Sequence, residues 1–232
     1  MTNQIFADGL TTLYNGDARN MAELPDESVQ MVCTSPPYWG LRSYKGCPDL
    51  IFGGKADCGH EWGNHQVVAD GVKHRWSHNP DSKRDMTLTA DGPTTCSLCG
   101  AWRGQFGLEP TVDLYVQHTV EILREVRRVL RKDGVAFWNL GDSYSGSGKG
   151  IGSDHGKAVF TDADIVKLPN SPGLKPKDLC LIPFRVALAA QDAGWWVRSV
   201  IIWSKNNPMP ESVRDRPTES HEYILMLTKS AN

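Results

Sequence analysis

No stretch of this 232-residue chain approaches the roughly 18 uninterrupted apolar residues that a membrane span requires. Its start, MTNQIFADG, has neither the basic end nor the apolar segment of a signal peptide. These absences argue against a membrane partner and lead us to expect a cytoplasmic chain. Cysteine is sparse. Six in a chain this long are too few for a disulfide scaffold, and the one close pair, Cys96-Ser97-Leu98-Cys99, has a spacing that suits metal better. A strong charge of either sign is also missing: 25 Lys and Arg against 27 Asp and Glu leave a net charge of -2. That balance neither supports nor excludes a nucleic-acid partner, although Arg124, Arg127, Arg128, Arg131 and Lys132 form a local basic run. There is no internal repeat, no low-complexity tract and no phosphate loop. GSGKGIGSDHG (146–156) lacks the G-x-x-x-x-G-K-[ST] spacing and reads as a mobile loop.

What is present is a hydrophobic content of 40%, enough to bury the core of one main domain with room for a small appendage. TLYNG (12–16) and SVQMVCTS (28–35) read as strands, with DARNMAELPDE between them as a short helix ended by Pro25. Val116, Val120, Leu123, Val126 and Leu130 recur at helical spacing within 112–132, and Asp133-Gly134 supplies a stop. VAFWNL (135–140), WVRSVIIW (196–203) and EYILMLT (222–228) read as further strands, and 179–193 as a helix ending at Gly194. The alternation predicts an α/β fold, a mostly parallel sheet with helices on both faces. Residues 45–108 interrupt it. They are rich in Gly, Asp, His and Trp, hold four of the seven histidines (His60, His65, His74, His78), and carry no long apolar period. The expected organisation is therefore a core of 1–44 and 109–232 with 45–108 inserted.

The strand at 28–35 runs into TSPPYWG, where two prolines can neither donate to a ladder nor continue a helix. In an open α/β sheet the ligand site lies beyond the carboxyl ends of the strands, which is where Ser35, Pro36, Pro37 and Tyr38 would sit. The fixed φ angles of the prolines make a rigid shelf that points the Ser35 hydroxyl and the Pro36 carbonyl the same way, with the flat face of Tyr38 nearby. Two convergent acceptors can take both protons of an aromatic amine, pull its lone pair out of conjugation and aim it at an electrophile. A Pro-Pro turn with an ordinary strand-end serine is the plain alternative.

Four segments together bear a family likeness. TSPPYWGLRSY, YNGDA (14–18), FWNLGDSY (137–144) and IIWSKNNPMPESVRDRPTESHEYILMLTKS (201–230) resemble the motif blocks of the amino-group DNA methyltransferases, which methylate cytosine N4 or adenine N6 with S-adenosylmethionine. The resemblance implies a Rossmann-like methyltransferase sheet, double-stranded DNA as partner, a target base flipped out of the duplex and stacked on Tyr38, and association with restriction–modification. It implies cofactor contacts at Asp17, Thr34 and Ser35 and substrate contacts at Trp39, Arg42, Tyr44 and Asp142. Ser rather than Asp at the head of the catalytic motif leans towards cytosine N4. The family's glycine-rich cofactor motif is expected after a block like HEYILMLTKS, whereas this sequence stops at Asn232. That departure predicts a truncated enzyme or one subunit of a split one, completed by a complementary chain or by self-association. A protein or RNA methyltransferase, disfavoured by Ser35 in place of Asn, and a non-catalytic zinc-containing DNA-binding remnant remain as alternatives.

Within 45–108, Cys58-Gly59-His60 and Cys96-Ser97-Leu98-Cys99 supply three thiolates and an imidazole, a set suited to tetrahedral zinc. A polar insertion without a core needs such a staple. Cys47 or His65 could replace a member, and Trp62, Trp76 and Trp102 either pack around the metal or face DNA. Elsewhere, Asp142 also fits turn chemistry, and His221 and Glu222 fit structural roles at a strand start. Arg198, Lys205, Arg214 and Arg216 are candidates for phosphate contacts or for a solvated face.

Overall fold

The computed structural model describes residues 4–41, 44, 47–63, 66–68, 87–89, 94–146, 173–208, 211 and 213–231. In chain order the elements are β1 (Gln4–Ala7), β2 (Thr12–Tyr14), β3 (Val29–Thr34), β4 (Leu50–Phe52), β5 (Trp62–Gly63), β6 (Gln66–Val68), β7 (Thr87–Thr89), β8 (Thr95–Cys96), β9 (Trp102–Gly104), α1 (Val112–Val129), β10 (Leu130–Leu140), α2 (Ile182–Asp192), β11 (Trp196–Ser204) and β12 (His221–Thr228). Two compact units result: Met1–Tyr38, Thr119–Asp142 and Leu181–Asn232 form one, Trp39–His118 and Ser143–Cys180 the other. Among the described residues no helix is long and apolar enough to cross a membrane.

The first unit is built on a sheet of order β11-β12-β10-β3, in which β10 pairs parallel with β3 and antiparallel with β12, and β12 pairs antiparallel with β11. The sheet is α/β as expected but not mostly parallel. The crossovers themselves behave as the alternation predicts, since the helix-bearing links β3 to β10 and β10 to β11 each join strands of the same direction. Among the described residues no helix separates β11 from β12, and β12 returns antiparallel and slots between β10 and β11. Ala136, Trp138, Leu140, Leu225 and Leu227 are buried on one face, and α2 lies against β11 and β12. The opposite face is open among the described residues: Met31, Ile201 and Trp203 are exposed.

Two local expectations fail for identifiable reasons. Residues 17–27 form turns, not a helix. Glu125 accepts from Met21 N while Arg128 donates to the carbonyls of Met21 and Leu24, so side chains of α1 satisfy the backbone groups that a helix would have paired internally. Helix α1 stops at Val129, before Asp133-Gly134, because residues 131–134 bulge out of β10 between its pairings with Val29 and Met31. Gly134 is needed there, since a Cβ would lie 2.8 Å from Leu130 Cγ and 2.9 Å from Gln30 O. An unexpected hairpin, β1–β2, turns at Asp8-Gly9, where Asp8 Oδ1 accepts from Leu10 N at 2.9 Å and Thr11 N at 2.6 Å.

In the second unit a short antiparallel sheet of order β4-β9-β8-β5 carries the Cys/His residues, and β6 pairs with β7. Its core holds a buried hydrogen-bonded pair: His118 Nδ1 lies 3.0 Å from Glu109 Oε1, with the imidazole stacked on Phe52 at 4.3 Å. Burial raises the Glu109 carboxyl, against the pull of His118. The expected boundaries at 45 and 108 fall inside this unit. Gly40 N donates to Gly107 O at 2.6 Å and Trp39 Nε1 to Glu109 O at 2.8 Å, which zips the segments flanking the insertion to each other and places them with it.

Candidate active site

Strand β3 delivers Ser35 just past its carboxyl end, and β10, β12 and β11 deliver Asn139, Glu222 and Lys205. All five polar groups of this site lie in the first unit and form one network. Ser35 Oγ donates to Tyr38 Oη at 2.9 Å, and Tyr38 Oη donates to Glu222 Oε2 at 2.7 Å. Asn139 Nδ2 donates to Tyr38 Oη at 2.7 Å and to Glu222 Oε2 at 2.9 Å, and Lys205 Nζ donates to Glu222 Oε1. Partial burial pushes the Glu222 carboxyl up, but the bonds from Lys205, Asn139 and Tyr38 outweigh it and hold the group below its usual range. Its stabilising contribution is therefore present above the ordinary glutamate value of about 4.3 and is lost as pH falls through the lowered folded value. Burial, with the adjacent carboxylate, raises the Tyr38 phenol. A cavity of about 540 Å³ opens beside the network, lined by Cys33, Thr34, Ser35, Phe137, Asn139, Ile201, Trp203 and Ile224.

Gly141, at the end of β10, makes room for the tyrosine. A Cβ at this position would lie 2.8 Å from Tyr38 Cδ2 and 2.9 Å from Cε2, and the ring cannot withdraw without breaking its bonds to Glu222 and Asn139. Gly141→Ala is expected to destabilise the chain by about 1–3 kcal/mol, the usual range for overpacking, read as a lower midpoint in urea unfolding. An unchanged midpoint would show that the ring is free to move.

The remaining expected residues are placed differently. Asp17 is bound by Arg19, whose backbone N reaches Oδ1 at 2.9 Å and whose Nε reaches Oδ2 at 3.0 Å, and it is not among the residues lining the cavity. Burial raises its carboxyl, but the Arg19 bonds prevail and lower it. Trp39 is only 2% exposed and its Nε1 donates to Glu109 O at 2.8 Å. Asp142 Oδ1 accepts from Ile182 N, the first residue of α2, at 3.1 Å. Tyr44 is exposed, with its backbone N on Gln105 Oε1. Arg42, His65, Trp76 and most of 146–156 lie outside the described residues. Of the phosphate candidates, Arg216 pairs with Glu211 at 2.7 Å and Arg198 donates to Ala231 O. No sequence motif marks Asn139 individually, and Glu222 at a strand start fits a structural role equally well. Only the pairing of β10 with β12 brings them to Tyr38.

In the second unit, the ligand atoms of Cys58, His60, Cys96 and Cys99 all lie within 4.8 Å of one another. Cys58 Sγ is 3.9 Å from Cys96 Sγ, and Cys99 Sγ is 3.4 Å from His60 Nδ1. Cys47 is exposed and outside this group. Trp62 packs on His60 with ring centres 4.9 Å apart, and Trp102 is buried.

A profile described as DNA methylase, of the N6/N4 type, matches residues 29–232. The type II methyltransferase M.XycI of Xanthomonas campestris pv. cyanopsidis is 36% identical over 222 residues, 95% of this chain and 55% of that protein. M.Cfr9I of Citrobacter freundii, also a type II methyltransferase, is 36% identical over 220 residues, covering 94% of this chain and 54% of its own length. The chain thus spans about half the length of the curated relatives it matches. Among solved structures, a PvuII DNA methyltransferase described as cytosine-N4-specific aligns with a TM-score of 0.47 at 15% identity, covering 94% of this chain and 49% of that one.

Proposed function

The chain belongs to the N6/N4 DNA methylase family, and on that premise we propose that it methylates an exocyclic amine of a flipped base in double-stranded DNA, cytosine N4 in preference to adenine N6. The observation that carries the reading is the Ser35 site: a hydroxyl at a strand end, tied to Tyr38 and bordering a cavity of about 540 Å³. In the proposed reaction Ser35 Oγ and the Pro36 carbonyl accept hydrogen bonds from the two amine N–H groups, which leaves the nitrogen lone pair free to attack, and the Tyr38 ring supports the base. The N–C bond would form as the sulfonium–methyl bond breaks to leave a thioether, and the methylated nitrogen would release one proton to water. S-adenosylmethionine would supply the methyl group. Of the residues expected to hold it, Thr34 and Ser35 line the cavity while Asp17 does not, so the fit among the described residues is at the reacting end. A complementary chain, or a second copy, is proposed to add a strand beside β3, whose outer edge is unpaired among the described residues. The Cys58, His60, Cys96 and Cys99 cluster is proposed to bind structural zinc.

The test is transfer of labelled methyl from S-adenosylmethionine to duplex DNA by the purified chain, with nucleoside analysis of the product. N4-methylcytosine is expected. N6-methyladenine would select the alternative base, and methylated protein or RNA with unlabelled DNA would overturn the reading.

A further inference from the structure

Hydroxyl groups are ambiguous partners. A serine can donate one proton or accept at two lone pairs, and which of these it offers a substrate depends on where its proton is already committed. At Ser35 the surroundings decide. An ionised carboxylate only accepts, so Glu222 Oε2 must receive the Tyr38 proton across their 2.7 Å contact. With its single proton given to Glu222, Tyr38 Oη is left to accept, and it does so from Asn139 Nδ2 at 2.7 Å and from Ser35 Oγ at 2.9 Å. The same carboxylate settles the Asn139 amide, whose nitrogen must face it. Asn139 Oδ1 is then buried without a partner among the described residues, an unfavourable arrangement that stability alone would not retain.

From this geometry we infer that Glu222, held by Lys205, is a positioning residue that makes Ser35 an obligate acceptor towards the substrate, so that the site admits an amine and rejects a carbonyl at the same position. The inference rests on the methyl-transfer reading for its substrate, but the direction of the hydrogen bonds stands on the network itself. In a Glu222→Gln chain the new amide can donate to Tyr38 Oη. The phenol proton is then free to turn to Ser35, whose own proton must point outward at the place where an amine would donate. The two donors would oppose each other, and an amine would no longer be drawn onto Ser35 in its reactive pose.

The test uses the full chain with tyrosines labelled at the ζ carbon, followed by NMR as pH rises, with Tyr38→Phe identifying the Tyr38 signal. Tyr38 is expected to stay protonated beyond the ordinary phenol value of about 10 while exposed tyrosines ionise. In Glu222→Gln it should ionise about one pH unit or more earlier than in wild type. A wild-type Tyr38 that ionises together with the exposed tyrosines would overturn the inference with no variant needed. In methyl transfer to duplex DNA, Glu222→Gln is expected to lower kcat by about tenfold to a hundredfold with little change in KM, and Glu222→Asp to restore part of it. Unchanged kcat in Glu222→Gln, with the earlier Tyr38 ionisation present, would reduce Glu222 to a structural role and overturn the inference. Absence of transfer by the wild-type chain, with the titration difference intact, would count against the methyl-transfer reading alone and leave the orientation of Ser35 supported.

Discussion

Ser35→Ala is expected to lower methyl transfer by about a hundredfold to a thousandfold, the range found when one preorganised hydrogen-bonding group is removed from a reacting centre. Thermal unfolding should be nearly unaltered. The hydroxyl touches Tyr38 at 2.9 Å, but Tyr38 keeps its bonds to Glu222 and Asn139 without it, so no buried group loses its last partner. Because the acceptor acts mainly as the nitrogen rehybridises, kcat should fall more than KM rises. Normal turnover by Ser35→Ala would remove the acceptor mechanism. Tyr38→Ala removes more than the stacking face. Loss of transfer is expected as well, but the phenol supplies Glu222 with a donor and Asn139 with an acceptor, so its removal should also lower stability by about 1–3 kcal/mol. Tyr38→Phe and Tyr38→Ala together separate the hydroxyl from the ring.

The end of β3 was legible because its signal is local: two prolines after an apolar run mean a strand that must end, whatever surrounds it. The partner of Tyr38 was not. Glu222 lies 184 residues from Tyr38, and nothing about a glutamate at a strand start distinguishes a network member from a solvated side chain. The same contrast runs through the fold. Periodicity located β10, β11, β12 and both helices to within a few residues, since burial of one face imposes it. The direction of β12 goes with a link to β11 that holds no helix among its described residues, a fact about the link that strand composition does not carry. The turns at 17–27 show a third limit, because a backbone satisfied by Glu125 and Arg128 of α1 needs no helical pattern of its own. The likeness to the methyltransferases reached further than periodicity, since it singled out FWNLGDSY, the block that holds both Asn139 and the Gly141 on which Tyr38 rests.

The largest effect is expected in the second unit, where the purified chain should carry one zinc ion whose removal unfolds the β4-β9-β8-β5 sheet. With Zn–S near ~2.3 Å and Zn–N near ~2.0–2.1 Å, a tetrahedral site has edges of about 3.8 Å between sulfurs and about 3.5 Å between sulfur and nitrogen. The observed 3.9 Å and 3.4 Å match both. Local geometry converges on the same point. Gly100 N donates to Cys96 O and Cys96 N to Ala101 O, folding the Cys96–Cys99 turn back on itself. Gly54 closes against that turn, where a Cβ would lie 2.8 Å from Cys99 Sγ. The strands of this sheet are only two or three residues long, too short to persist on ladder bonds alone. Structural zinc in comparably small folds contributes apparent binding free energies of about 10–16 kcal/mol at neutral pH, more than such a sheet can supply by burial. Chelation, or Cys99→Ser, should therefore abolish amide protection across β4, β5, β8 and β9 while β10 and β12 keep theirs. Cys47→Ser should retain the metal, because Cys47 lies outside the cluster. Elemental analysis under reducing conditions, paired with hydrogen exchange before and after chelation, decides the matter. A metal-free chain whose β4-β9-β8-β5 amides stay protected would sink the assignment, and loss of metal in Cys47→Ser would move the fourth ligand.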